Sequence, residues 1–170
     1  MAKSDSESIS LWVLLAQGAG LILFFWAAWT GYNYFKPPVI PPPIPGQYAD
    51  TIQWMSIQDG EAEFQKGQKC MLYDFTAGWC HYCHILETEV FEVPQAARFI
   101  NQYFIPVRVM DRYQEDGKNT PEVSDLQHKY GISGFPTLIV RYPNDQSKKM
   151  VGYANADVTA QFLKDAVSPK

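Results

Sequence analysis

The hydrophobic pattern divides the chain into an uncharged amino-terminal stretch and a longer region of short alternating elements. Residues 9–35 form a run of 27 positions without a charged side chain. Beyond residue 46, short apolar runs of strand length alternate with segments whose apolar residues recur at helical spacing. The pattern therefore predicts a separate amino-terminal segment followed by one folded domain.

Strands and helices alternate along the predicted domain. We predict strands over residues 52–57, 70–76, 104–110, 138–142 and 149–153, and helices over residues 60–66, 81–91, 94–103, 121–130 and 158–167. The charged, turn-rich residues 111–120 are predicted to form a loop. The turn Pro143-Asn144-Asp145 joins the last two strands into a hairpin. The predicted fold class is therefore α/β, with a mixed central sheet covered by helices on both faces.

The uncharged stretch has the properties of a membrane anchor. It is longer than the ~20 residues that a helix needs to cross a bilayer, and Trp and Tyr residues stand near its ends. A cleaved signal peptide is the alternative. However, the apolar run exceeds the ~7–15 residues of a signal peptide, and Lys3 is the one basic residue before it. We therefore predict a polar tail (residues 1–8) and an uncleaved transmembrane helix (residues 9–35).

A proline-rich segment follows the predicted anchor. Residues 36–46 hold six of the twelve prolines of the chain. Such a sequence forms an extended polyproline II spacer of ~3.1 Å per residue, or otherwise a disordered tether. Either form marks a boundary, so residues 47–170 are predicted to be the folded domain.

Two of the three cysteines lie where a predicted strand ends and a helix begins. Cys80 stands at the helix amino terminus, where partial positive charge and unpaired N–H groups favour a thiolate. Cys83 follows one turn later, so its sulfur can reach that of Cys80. The pair predicts a disulfide that closes and reopens, with Cys80 as the nucleophile and Cys83 as the resolving thiol. Cys70 is predicted to be a buried apolar residue, or alternatively a regulatory partner of Cys80.

Two distant motifs together resemble the thioredoxin superfamily. The first is Asp-Phe-x-Ala-x-Trp-Cys-x-x-Cys at residues 74–83, and the second is Gly134-Phe135-Pro136-Thr137. The histidine after the second cysteine and the strand Phe104-Ile105-Pro106-Val107 are more similar to the membrane-tethered, periplasmic Dsb-type disulfide-interchange domains. The resemblance covers about residues 53–167 and implies a thioredoxin-like fold.

The resemblance also implies roles for residues around the cysteine pair. Asp74 would be buried and would accept the proton of Cys83 through water, unless it is a surface residue at the strand end. The Phe135–Pro136 peptide bond would be cis, and the loop from Gly134 would present its backbone to an extended substrate chain. Trp79 would cover the sulfurs or belong to the core.

Three side chains next to the cysteines are candidates for setting the reduction potential. A protonated His81 would place positive charge beside the Cys80 thiolate and favour the reduced form. His84 would act in the same way from the first helical turn, unless both histidines are simply solvated. Tyr82 stands where thioredoxins commonly carry proline.

The same segment permits two other functions. Residues 80–84 match the Cys-x-x-Cys-His pattern of c-type haem attachment, and two thiolates with an imidazole suit copper or zinc. Nevertheless, a cytochrome has no use for the Gly-Phe-Pro-Thr motif, and in the family the residue equivalent to Pro136 blocks metal access. The preferred prediction therefore requires no metal and no other cofactor, with a metal-binding module as the alternative.

The net charge and the predicted anchor indicate which partners and which cellular location to expect. A net charge of −4 argues against nucleic acid. We expect a monomer that exchanges disulfides with protein substrates and with a membrane redox partner, as either reductase or oxidase. Protein disulfides form in oxidising compartments. The sequence therefore predicts a single-pass inner-membrane protein with its domain on the periplasmic or extracytoplasmic side, although Lys3 and Lys36 nearly balance the positive-inside rule.

Overall fold

The computed structural model describes residues 49–67 and 69–168. In chain order the elements are α1 (Ile57–Phe64), β1 (Cys70–Ala77), α2 (His81–Leu86) with a π-helical turn (Glu87–Phe91), α3 (Pro94–Tyr103), β2 (Phe104–Asp111), α4 (Tyr113–Asp116), α5 (Pro121–Tyr130), β3 (Thr137–Arg141), β4 (Ser147–Val151) and α6 (Ala156–Val167). The predicted tail, anchor and linker lie outside these residues. Among the helices that the structure describes, none is long and apolar enough to cross a membrane.

The four strands form a mixed sheet in the order β2-β1-β3-β4. Strand β1 runs parallel to β2 and antiparallel to β3, and β3 pairs with β4 as a hairpin. Every residue of β1 after Cys70 is buried, as expected of a central strand that is covered on both faces. The predicted α/β class with a mixed sheet is confirmed.

Hydrophobic cores lie on both faces of the sheet because successive side chains of β1 point in opposite directions. Leu72 belongs to the first core, which also contains Leu86 of α2 and Leu163 of α6. Tyr73 belongs to the second core, where it packs with Phe64 of α1. This arrangement places α2, which contains Cys83 and is capped by Cys80, on the face of the first core.

The prediction of a strand at residues 52–57 is wrong. Met55 makes an isolated bridge to Val107 of β2, and α1 begins inside the predicted strand, three residues before the predicted helix. The reason is the cap: the Ser56 side chain accepts a hydrogen bond from the Asp59 backbone N–H at 3.1 Å. Because a capping serine starts a helix where it stands, the extended segment ends at this residue.

Residues 49–56, here called the leading segment, are fixed to the rest of the domain. The Asn101 side chain donates to the carbonyl of Thr51 at 2.9 Å and accepts from the N–H of Gln53 at 3.0 Å. The N–H of Met55 donates to a carbonyl of β2 at 2.9 Å. The leading segment therefore has a defined path along the edge of the sheet.

Other boundaries also differ from the prediction, and two of them are informative. The predicted loop at residues 111–120 contains α4, where Arg112 and Asp116 form an ion pair of 2.6 Å across one turn. Strand β4 lies two residues earlier than predicted. It ends before Gly152, which has φ +77° and donates its N–H to the Pro136 carbonyl at 2.7 Å.

Candidate active site

Cys80 and Cys83 form a disulfide at the junction of β1 and α2, where the sequence predicts it. Their sulfurs are 2.08 Å apart and their Cα atoms 5.3 Å apart. Both residues are buried, so exposure does not distinguish their roles. Their positions in the helix distinguish the two roles. Cys80 is the N-cap residue of α2, and the Cys83 N–H donates to the Sγ of Cys80 at 3.1 Å. In the reduced protein this N–H favours negative charge on Cys80.

Aromatic side chains and the cis-proline loop border the disulfide. Phe135 packs against the cysteine cluster, and its ring is edge-on to that of Trp79 at 5.9 Å. Trp79 is 50% exposed and is therefore a surface residue, not a core residue. The Phe135–Pro136 bond is cis. The Gly134 carbonyl accepts a hydrogen bond from the Thr137 hydroxyl at 2.7 Å. The residues predicted to dock a substrate chain thus adjoin the cysteines, and their role in docking stays a prediction.

The three predicted tuning residues lie on the exposed side of α2. The ring of His81 contacts the ring of Tyr82, with centroids 5.7 Å apart. The Nε2 atom of His84 lies 3.0 Å from the carbonyl of Gly78, so the imidazole is tied to the turn before Cys80. Their influence on the reduction potential stays a prediction.

Asp74 is buried in β1, as predicted, with 2% of its surface exposed. Burial raises the pKa of this carboxyl to about 7; the nearby Arg108 opposes the rise and Glu87 adds to it. Its Oδ2 accepts from Arg108 Nε at 3.2 Å, whereas its buried Oδ1 has no hydrogen-bond partner among the described residues. A carboxylate with one free oxygen and a pKa near neutrality is suited to proton transfer.

Arg108 completes this site and was not found from the sequence. It stands opposite Asp74 in the parallel register of β1 and β2 and also donates through Nη2 to the carboxylate of Glu87. Its guanidinium carbon lies 4.1 Å from the centroid of the Trp54 ring. One feature of the sequence could have indicated it: Arg108 is a charged residue inside an apolar strand. A charged side chain in such a strand requires a partner of opposite charge.

Glu87, which contacts Arg108, is the first residue of the π-helical turn. A uniform helix was predicted over residues 81–91, but the α-helical part ends at Leu86. The hydroxyl of Thr88 lies 3.2 Å from the carbonyl of His84, within hydrogen-bonding distance of the preceding turn. Such turns are frequent at functional sites. Glu87 follows Cys83 by four residues, so both side chains project from the same face of the helix.

Cys70 lies at the opposite end of β1 from the disulfide. At ~3.3 Å per residue, the strand separates the two sites by about 20 Å. Cys70 is half-buried against the first core, and burial raises the pKa of its thiol. Its predicted packing role fits this position, and the alternative of a regulatory partner for Cys80 stays a prediction.

The metal-binding alternative uses the sulfurs of Cys80 and Cys83 as ligands. In this structure the two sulfurs are bonded to each other as a disulfide. Across residues 49–67 and 69–168, no group of three or more His, Cys, Asp or Glu side chains is arranged to hold a metal ion.

Comparisons with known proteins agree with this architecture. A family model described as a thioredoxin-like domain matches residues 57–167, which is more than half of the chain. The rice protein named protein disulfide isomerase-like 5-3 is 26% identical over 116 residues. That alignment covers 68% of this chain and 25% of the rice protein, so the chain spans about a quarter of that relative.

Solved structures show the same fold. A DsbH oxidoreductase superposes with a TM-score of 0.60 at 16% identity, covering 80% of this chain and 97% of that one. The oxidised carboxyl-terminal domain of Neisseria meningitidis DsbD superposes with a TM-score of 0.53 at 20% identity, covering 64% and 90%. The described domain therefore has the thioredoxin-like fold that the two motifs implied.

Proposed function

Since the chain belongs to the thioredoxin-like domain family, we propose that it is a thiol–disulfide oxidoreductase that exchanges disulfides with protein substrates. The observation that carries the proposal is the Cys80–Cys83 disulfide at the start of α2, where the Cys83 N–H donates to the Cys80 sulfur. A buried carboxyl group, Asp74, lies in the adjoining strand. The rice relative carries the name of a disulfide isomerase, which supports the same reaction class.

The reaction begins when the reduced protein attacks a substrate disulfide. The Cys80 thiolate bonds to one substrate sulfur, and the other substrate sulfur leaves and takes a proton from solvent. Cys83 then gives its proton to Asp74 through water and attacks the sulfur of Cys80. The internal disulfide forms, and the second substrate sulfur leaves as a thiolate that takes a proton from solvent. Two electrons pass from the protein to the substrate, and the reverse sequence oxidises a substrate dithiol.

The surface beside the disulfide suits an extended protein segment. Half-exposed Trp79 offers an aromatic face next to Phe135. The neighbouring loop is held by the hydrogen bond from Gly152 to the Pro136 carbonyl and by the hydroxyl of Thr137. A fixed loop beside the cysteines is suited to pairing with an extended chain by strand addition.

Catalysed exchange with a protein disulfide tests this function. The wild-type protein is expected to accelerate the reduction of insulin by dithiothreitol, measured as turbidity. A variant with Cys80→Ser and Cys83→Ser is expected to give the uncatalysed rate, because it cannot form a mixed disulfide. Cys70→Ser is the matched control and is expected to retain activity. Equal rates for wild type and the double variant would contradict the proposal.

We also propose that the domain works on the extracytoplasmic side of the inner membrane, where a membrane redox partner restores its cysteines. The uncharged residues 9–35 and the proline-rich residues 36–46 support this location, because they suit an anchor and a spacer. Exchange chemistry with proteins is useful where protein disulfides form.

Labelling of intact spheroplasts tests the location. In a Cys70→Ser background, Cys80 is expected to react, after mild reduction, with a maleimide–polyethylene glycol that does not cross the inner membrane. The reason is that the reagent reaches only thiols outside the cytoplasm. A gel shift that appears only after lysis would place the domain in the cytoplasm and overturn the proposed topology.

A further inference from the structure

Trp54 lies before the residues that match the family model, yet its ring contacts the candidate active site. The guanidinium carbon of Arg108 is 4.1 Å from the centroid of the Trp54 ring and 6.0 Å from that of Phe91. The two rings pack edge-on against each other at 5.1 Å. An aromatic face attracts a guanidinium group and restricts its plane. The leading segment thus contributes directly to the orientation of Arg108.

Arg108 in turn joins the carboxylates on either side of it. Its Nε donates to Asp74 Oδ2 at 3.2 Å and its Nη2 donates to Glu87. When the carboxylates of Asp74 and Glu87 are both ionised, these two groups and the Arg108 guanidinium together carry a net charge of −1. When Asp74 takes up a proton, Arg108 remains paired with Glu87 and this ion pair is neutral. A proton can therefore reach Asp74 without leaving an unpaired charge in the buried site.

We infer that Trp54 is a positioning residue for the resolving step. By fixing Arg108 it holds Asp74 through Oδ2 and leaves Oδ1 free to receive the proton of Cys83. This inference rests on the proposed function and assigns a part in it to the leading segment.

The surroundings of Asp74 define which other groups affect its titration. Arg108 faces it from β2, and Glu87 faces it from the π-helical turn. Its register neighbour in β3 is the apolar Leu138. The leading segment adds the uncharged ring of Trp54 on the far side of the guanidinium. Arg108 is therefore the cation through which a change at Trp54 reaches Asp74.

Removing the ring weakens this arrangement in a defined direction. The Arg108 side chain is 27% exposed, so without the ring it can adopt other conformations in which the guanidinium is solvated. When the guanidinium moves away from Oδ2, the ionised form of Asp74 loses its stabilising cation. Asp74 then binds its proton more tightly, and the resolving step requires a higher pH.

The test uses Trp54→Leu and Trp54→Phe in the full chain. Phe99→Leu is the matched control, because that ring packs against the same core and contacts Tyr103 and Phe104. Two midpoints are measured on each protein. One is the carbon-13 NMR titration of the Asp74 carboxyl group, and the other is the pH dependence of resolution of a Cys80 mixed disulfide with glutathione.

Trp54→Leu is expected to raise both midpoints by about half a pH unit or more, in keeping with an aromatic–cation contact. Trp54→Phe is expected to restore part of the shift, and Phe99→Leu to leave both midpoints unchanged even if it lowers stability. Unchanged midpoints in Trp54→Leu, or an equal shift in Phe99→Leu, would overturn the inference. If the wild type shows no exchange at all, the proposed function fails, and the NMR midpoint still decides whether Trp54 orients Arg108 over Asp74.

Discussion

Replacing Cys83 by serine is expected to stop the reaction at a mixed disulfide between Cys80 and a protein substrate. The first attack needs only Cys80, whose sulfur lies at the N-cap of α2 and accepts the N–H of residue 83, a backbone group that serine retains. Release needs the second thiol. Covalent complexes are therefore expected to accumulate on non-reducing gels and to disappear on addition of dithiothreitol.

Cys80→Ser is the opposite case and is expected to form no such complexes. Cys83 lies inside the first turn of α2 and lacks the N-cap position that favours a thiolate. Cys70→Ser, placed in the Cys83→Ser background, is the control and is expected to leave the complexes unchanged. Equal trapping by the two active-site variants, or trapping through Cys80→Ser alone, would reverse the assigned roles.

Replacing Asp74 by asparagine is expected to slow the resolving step about 10²-fold above pH 7, because a general base contributes an effect of this order. Asparagine keeps the shape of the side chain but has no basic oxygen. Wild-type resolution is expected to accelerate as the pH rises through about 7, the pKa of the buried carboxyl. The variant is expected to lose this rise. An unchanged pH profile in the variant, measured by rapid acid quench, would show that another group accepts the proton.

The same substitution is expected to change how stability depends on pH. The pKa of Asp74 is raised from 3.8 to about 7, so the folded state holds this proton more tightly than the unfolded chain. The stabilisation is complete below about pH 4 and is lost as the pH rises through 7. About three pKa units at 1.36 kcal/mol each set an upper limit of ~4 kcal/mol.

Urea unfolding of the oxidised proteins at pH 4 and pH 8 measures this effect. Between these values, the free energy of unfolding of wild type is expected to fall relative to that of Asp74→Asn by up to ~4 kcal/mol. Asp125→Asn, which changes an exposed carboxylate on α5, is the matched control. A constant difference between wild type and Asp74→Asn would contradict the burial account.

Local sequence information predicted the parts of the site that depend on neighbouring residues. The boundary between strand and helix placed Cys80 at the N-cap because the apolar run and the helical spacing meet there. Pro121 marked the start of α5, where the Thr120 side chain caps the helix. The two motifs, by resemblance, also implied a buried Asp74 and a cis bond before Pro136.

The parts of the site that were not predicted depend on contacts between residues distant in sequence, which a single sequence does not specify. Arg108 meets Asp74 because parallel β1 and β2 pair in one register, and a shift by one residue would turn Arg108 to the other face. Trp54 was predicted to lie in a strand over residues 52–57, whereas the cap at Ser56 and the hydrogen bond to Asn101 of α3 decide the path of this segment. The π-helical turn depends on tertiary packing and has no clear local signal.

A redox titration of the cysteines is the most direct test of the claim that Cys80 and Cys83 cycle between dithiol and disulfide. The protein is equilibrated in glutathione buffers of graded potential, quenched with acid, alkylated and analysed by mass spectrometry. The account predicts one two-electron transition in which both cysteines become alkylated together, while Cys70 is alkylated at every potential in the unfolded, quenched protein. Alkylation of one active-site cysteine without the other, or a disulfide that stays closed at every potential tested, would contradict it.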